Sequence, residues 1–213
     1  MIFDKNIAKE IALLLLDAKA IKLQPNNPFT WASGWKSPIY CDNRVTLSFP
    51  SARKTIAKSF AALASKHYSE ANLIAGVATG AIAHGILVAE ELQLPFAYVR
   101  AAAKEHGLGN MIEGKVNAGD KVLVIEDLIS TGMSSLKAVD ALRAAHADVL
   151  GMAAIFTYGF EKASASFIEK NCSLYTLTNY YFLLEAALET NYINANDMDK
   201  LNQWLLNPAE WGK

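Results

Sequence analysis

An α/β fold built on a mostly parallel sheet is predicted for this 213-residue chain by three observations. A short apolar run passes through a glycine-bearing turn into a helical pattern at "ANLIAGVATGAIAHGILVAEEL", and the same grammar repeats at "KVLVIEDLISTGMSSLKAVDALRAA". "VLGMAAIFTYG" supplies a further buried strand, and "LYTLTNYYFLLEAAL" joins a strand to a helix. The 52% hydrophobic content is ample for a folded core. Strands alternating with helices are joined by right-handed crossovers. Ligands in such sheets bind beyond the carboxyl ends of the strands, where the turns at 77 to 81 and 127 to 132 would both lie.

Taken in order, residues 4 to 21 place Ile7, Ile11, Leu14, Ala18 and Ile21 at helical spacing and predict an amphipathic helix. "FTWASGWKSPIYCDNR", residues 29 to 44, alternates aromatics with turn formers and reads as a strand pair with a tight S-G turn and two core tryptophans. A helix follows Pro50 through about residue 67. "YVRAAAKEHGLGNMIEG", residues 98 to 114, is basic and glycine-containing with little apolar periodicity, and reads as a mobile loop able to close over an anion or as a solvated basic loop. A strand at 121 to 126 then leads through a loop to a helix with Leu136, Val139 and Leu142 on one face. Residues 1 to 213 make a single domain, with 1 to about 45 as a small subdomain over the core.

Twenty basic against twenty-one acidic residues give a formal charge of −1, so composition points away from duplex DNA or an anionic membrane as a bulk partner. Cys41 and Cys172 form neither a metal-ligand spacing nor a redox pair, and read as reduced thiols of a cytoplasmic protein. "IALLLL" is too short to span a bilayer and lacks the flanks of a signal peptide. His67, His84 and His146 read as packed or helix-end histidines, and Tyr180, Tyr181, Trp204 and Trp211 as core or interface aromatics.

The chemistry concentrates in "VLVIEDLISTGMSS". Glu126 and Asp127 sit side by side where an apolar strand ends, and uncompensated charges there are costly. Ser130, Thr131, Gly132, Met133, Ser134 and Ser135 then lead into a helix. Free N–H groups at a helix start, hydroxyls and a glycine make a phosphate cradle. The carboxylates cannot bind that phosphate, but they suit a neighbouring ribose diol. The plainer alternative is an ordinary Asx-type turn with a serine helix cap.

This stretch resembles the phosphoribosyl diphosphate signature of the type I phosphoribosyltransferases. The resemblance implies a parallel sheet flanked by helices with a small N-terminal hood. It also implies that Glu126 and Asp127 hold the ribose hydroxyls, that Ser130, Thr131, Gly132, Met133 and Ser134 wrap the 5′-phosphate, and that Leu128 and Ile129 belong to the same substrate-binding run. The R-x-x-x-K-x-H-G loop at Arg100, Lys104 and His106, and the 29 to 44 segment, are similar to those of the orotate phosphoribosyltransferases.

Within that family the loop reaches the active site of the other subunit of a homodimer, where Arg100, Lys104 and His106 would neutralise the departing pyrophosphate. The implied catalytic residues are Lys104, His106 and Asp127, and the implied substrates are orotate and phosphoribosyl diphosphate, the latter bringing Mg²⁺. Ser130 would meet the pyrimidine. The chain departs from the family's fullest pattern at Ala32 and Ala101, where lysine is frequent, at Glu126, and at "IFTYGF", where some members carry an arginine for the orotate carboxylate. The rival readings are a phosphoribosyltransferase for a purine or uracil and a non-catalytic, nucleic-acid-binding regulator on the same fold. The N-terminal and loop motifs oppose the first, and the balanced charge opposes the second.

Overall fold

The computed structural model describes residues 1–31, 34–102 and 111–212. In chain order the elements are α1 (Lys5–Asp17), β1 (Ile21–Leu23), β2 (Phe29–Thr30), β3 (Lys36–Ser37), β4 (Ile39–Cys41), α2 (Pro50–His67), β5 (Leu73–Val77), α3 (Ile82–Leu92), β6 (Phe96–Val99) and β7 (Ile112–Glu113). They continue with β8 (Lys121–Ile129), α4 (Met133–Ala144), β9 (Asp148–Thr157), α5 (Glu161–Glu169), β10 (Leu174–Asn179), α6 (Tyr180–Glu189) and α7 (Met198–Leu206). The main sheet runs β10-β9-β8-β5-β6-β7, parallel throughout except for the edge strand β7, which pairs antiparallel with β6.

Alternation along β8 divides the core in two. Leu123 and Ile125 join Ile11, Leu15, Ile56, Phe60, Leu183 and Trp204 on the face covered by α1, α2, α3, α6 and α7. Val122 and Val124 join Leu136, Val139, Leu142 and Phe167 on the face covered by α4 and α5. The helical spacing predicted at Leu136, Val139 and Leu142 is the buried stripe of α4. α2 begins at Pro50, whose missing N–H costs nothing in the first turn.

Three expectations are corrected. α1 ends at Asp17, because Lys19 takes φ +56 and turns the chain, and Ile21 enters β1 instead of the helix. β8 continues to Ile129, three residues past the expected end, so the acid pair lies inside the paired strand, with Glu126 opposite Ala154 and Leu128 opposite Phe156. The strand pair of the 29 to 44 segment is present as β2 with β3, but Trp31 and Trp35 are only partly buried. The fully buried tryptophan is Trp204 on α7, which meets Trp31 at 5.7 Å, Tyr158 at 5.5 Å and Tyr180 at 5.4 Å between ring centroids. Tyr181, next to the buried Tyr180, faces solvent. Among the described residues no helix is long and apolar enough to cross a membrane.

Candidate active site

Period-two geometry separates the two adjacent acids. Glu126 continues the Val122–Val124 side of β8 and points to α4, where its Oε2 accepts from the Ser135 hydroxyl at 2.8 Å. Its Oε1 accepts from the Asp127 backbone N–H at 2.9 Å. Only 5% of Glu126 is exposed, and burial, reinforced by the neighbouring Asp127 charge, raises its carboxyl well above the usual range. Asp127 takes the opposite side and stays half-buried on the cleft wall. A Cβ at Gly80 would lie 2.3 Å from Asp127 Oδ2, so residue 80 must be glycine for the carboxylate to sit where it does.

A buried polar network backs Asp127. Asn43 Nδ2 donates to the Asp127 carbonyl at 2.6 Å, while Asn43 Oδ1 accepts from the Cys41 thiol at 3.4 Å. The Thr46 hydroxyl donates to the Asn43 carbonyl at 2.6 Å and lies 3.4 Å from His84 Nε2. Since the single Thr46 hydrogen is committed to Asn43, Nε2 of His84 carries the proton between those two residues. Burial lowers the His84 pKa, with the Asp127 charge opposing, and keeps the ring neutral near pH 7. Burial likewise pushes the Cys41 thiol up, so it acts as a donor and not as a thiolate.

The third wall follows the acids. Gly132 precedes α4 with φ +80, and no side chain caps the helix, so its first-turn N–H groups are available to an anion. The resulting cleft, about 510 Å³, is lined by Cys41, Asp42 and Arg44 on one side, the 77–80 turn on another and residues of the 126–135 run on the third. Of the expected contacts, Glu126, Asp127, Leu128, Ser130, Thr131, Gly132 and Ser134 line it. Ile129 is buried in the sheet and Met133 is 60% exposed on the first turn of α4; neither lines the cleft.

Arg100 lines an adjoining cavity of about 620 Å³ that shares Ala78 and Thr79 with the cleft, and its Nη1 is 3.6 Å from Glu113 Oε1. Lys104 and His106 lie outside the described residues. Gly80 falls in the expected 77–81 turn and Ser135 in the expected hydroxyl run, but Asp42, Asn43, Arg44 and Thr46 are not singled out by the sequence, where His84 reads as a packed histidine only. "CDNR" after an apolar strand carried the same polar-after-strand signal as "EDL", but was absorbed into a strand pair. Among the described residues no group of three or more His, Cys, Asp or Glu could by itself hold a metal ion.

The phosphoribosyl transferase domain profile matches residues 52–189, which run from α2 to the end of α6. The chain is 56% identical over 208 residues to the orotate phosphoribosyltransferase of Listeria innocua, covering 98% of this chain and all of that one. Among solved structures, it resembles the UMP synthase of Leishmania donovani with a TM-score of 0.79 and 25% identity, over 94% of this chain but only 42% of that longer one. It also shares the fold of the orotate phosphoribosyltransferase of Aeropyrum pernix, with a TM-score of 0.73 and 24% identity over 86% of this chain and 99% of that one. With an acid pair split across one strand, a glycine turn facing it and an open helix start beside it, this chain belongs to the phosphoribosyltransferase family, in its orotate phosphoribosyltransferase branch.

Proposed function

We propose that the protein transfers the 5-phosphoribosyl group from phosphoribosyl diphosphate to orotate, giving orotidine 5′-monophosphate and pyrophosphate in pyrimidine synthesis. The observation that carries this reading is the meeting of Asp127, the Gly80 turn and the open start of α4 in one cleft. The choice of orotate follows the relatives, 56% identical across the whole of the Listeria protein.

The start of α4 with Ser130, Thr131 and Ser134 takes the 5′-phosphate. Asp127 accepts from the ribose hydroxyls, and Glu126 accepts through the lone pairs its two protein donors leave unused. The diphosphate runs past Ala78 and Thr79 toward Arg100, with Lys104 and His106 supplying further positive charge. Mg²⁺ comes as part of the substrate: of the cleft carboxylates Asp42 is paired with Arg44 and Glu126 with Ser135, and Asp127 with its hydroxyl and amide neighbours suits an ion that keeps phosphate oxygens and waters as ligands. Bound there, it neutralises charge developing on the leaving diphosphate.

As the C1–O bond lengthens, positive charge builds on the ribose, where Asp127 lies, and a ring nitrogen of the anionic base attacks from the other face. Ser130, between phosphate and base, donates to or accepts from the pyrimidine. Exclusion of water from the assembled site limits hydrolysis of the activated sugar. The chain acts as one domain, hooded by residues 1 to about 45, in a cytoplasmic homodimer.

The test is the loss of orotate absorbance with purified protein, phosphoribosyl diphosphate and Mg²⁺, run beside uracil, hypoxanthine and adenine. Turnover of orotate alone is expected. Preference for another base would overturn the assignment.

A further inference from the structure

We infer that Arg44, held by Asp42, is the cation that receives the carboxylate of the pyrimidine base; this rests on the proposed orotate reaction. The base is anionic at its carboxylate, which a cation must meet, and "IFTYGF" carries no cationic residue. The end of β9 offers no cation, since Tyr158 just beyond it is 4% exposed among Trp31, Phe156, Phe160 and Trp204, a setting without positive charge. Arg44 is the only cationic side chain among the described residues lining the cleft.

Position selects which anionic end of the substrates Arg44 meets. The start of α4 accounts for the 5′-phosphate, and the 78–79 turn leads to the separate cavity that holds Arg100, which accounts for the diphosphate. Arg44 lines neither that cavity nor the α4 wall. It lies on the Cys41–Arg44 wall, tied to Asp127 through Asn43, which leaves it the base.

Asp42 fixes the guanidinium. Oδ1 accepts from Nε at 2.7 Å and Oδ2 from Nη2 at 3.0 Å, while Oδ1 also accepts the Arg44 backbone N–H at 3.2 Å. This fork-to-fork pairing leaves the Nη1 hydrogens and the second Nη2 hydrogen unused in it, in the planar arrangement that a second carboxylate matches. The Arg44 side chain is 58% exposed, so it can take up a ligand without repacking the core. Lysine would keep the charge but lose both the fork and the hold of Asp42.

Two nucleotides that share ribose and phosphate and differ in the carboxylate isolate the contact. Binding of orotidine monophosphate and uridine monophosphate is measured by calorimetry for the wild type, Arg44→Ala and Arg44→Lys, with melting temperatures and the KM values for orotate and phosphoribosyl diphosphate. The wild type should favour orotidine monophosphate by on the order of 10- to 100-fold, the range of a charge-assisted hydrogen bond. Arg44→Ala should erase that preference, with uridine monophosphate affinity and melting temperature held and only the orotate KM raised; Arg44→Lys should restore part of it. Equal weakening of both nucleotides, a rise confined to the phosphoribosyl diphosphate KM, or no change would each overturn the assignment. A wild type that neither converts orotate nor distinguishes the nucleotides would instead overturn the proposed reaction.

Discussion

At the scale of single residues, the two neighbouring acids carry different duties because a strand sends them opposite ways. Asp127 faces the cleft and has its backbone pinned by Asn43, so its charge serves the substrate more than the fold. Asp127→Asn keeps the shape and removes the charge. Turnover is expected to fall by about 100-fold or more, the scale of lost transition-state electrostatics, with the melting temperature little changed. Unchanged steady-state kinetics would return the acid pair to ordinary turn chemistry.

Glu126 behaves in the reverse sense. Its folded pKa is raised by burial and the Asp127 charge, so the native state holds its proton more tightly than the unfolded chain does. Below the unfolded value near 4.5 the group is protonated in both states and costs nothing. As the pH rises above it, native stability declines until the folded pKa is passed. Glu126→Gln removes this titration and retains an acceptor for the Asp127 N–H. Across melts at pH 5 to 8, the wild type should lose melting temperature relative to the glutamine variant as pH increases; parallel curves would show that the burial is not felt.

At the scale of elements, the β8–α4 junction turns on Gly132. Its φ of +80 is a region open to glycine, and a Cβ there would lie 2.8 Å from Phe167 Cε2 on α5. Gly132→Ala should therefore destabilise by about 1–3 kcal/mol, the cost of a strained backbone, and also raise the KM for phosphoribosyl diphosphate, because the N–H groups at the start of α4 would be re-aimed. A lowered melting temperature with an unaltered KM would place the phosphate elsewhere.

At the scale of the whole molecule, the diphosphate needs positive charge beyond Arg44, which the base takes, and Arg100 lies in the adjoining cavity. If residues 100 to 106 serve the partner's site, inactive Lys104→Ala and inactive Asp127→Asn chains should complement one another. The mixed dimer would hold one site with both defects and one with neither, and should recover roughly half of wild-type activity for independent sites. Subunit exchange without recovery, followed by native mass spectrometry, would confine the loop to its own chain.

The sequence by itself determined the α/β architecture, the helices after Pro50 and Gly132, and the location of the acid pair, because apolar periodicity and turn chemistry are local and survive in the order of residues. Glu126, Asp127 and the hydroxyl run were legible as chemistry-bearing residues on that basis, whereas Arg100 stood out only through the resemblance of its loop. Only the tertiary structure decided that Glu126 is buried against Ser135 while Asp127 faces Gly80. It also decided that Asn43, Thr46 and His84 form one network, and that Arg44 shares a cleft with residues more than eighty positions away. The physical reason is that register and crossover topology, which bring distant segments together, are set by packing the whole sheet, and no local pattern records them.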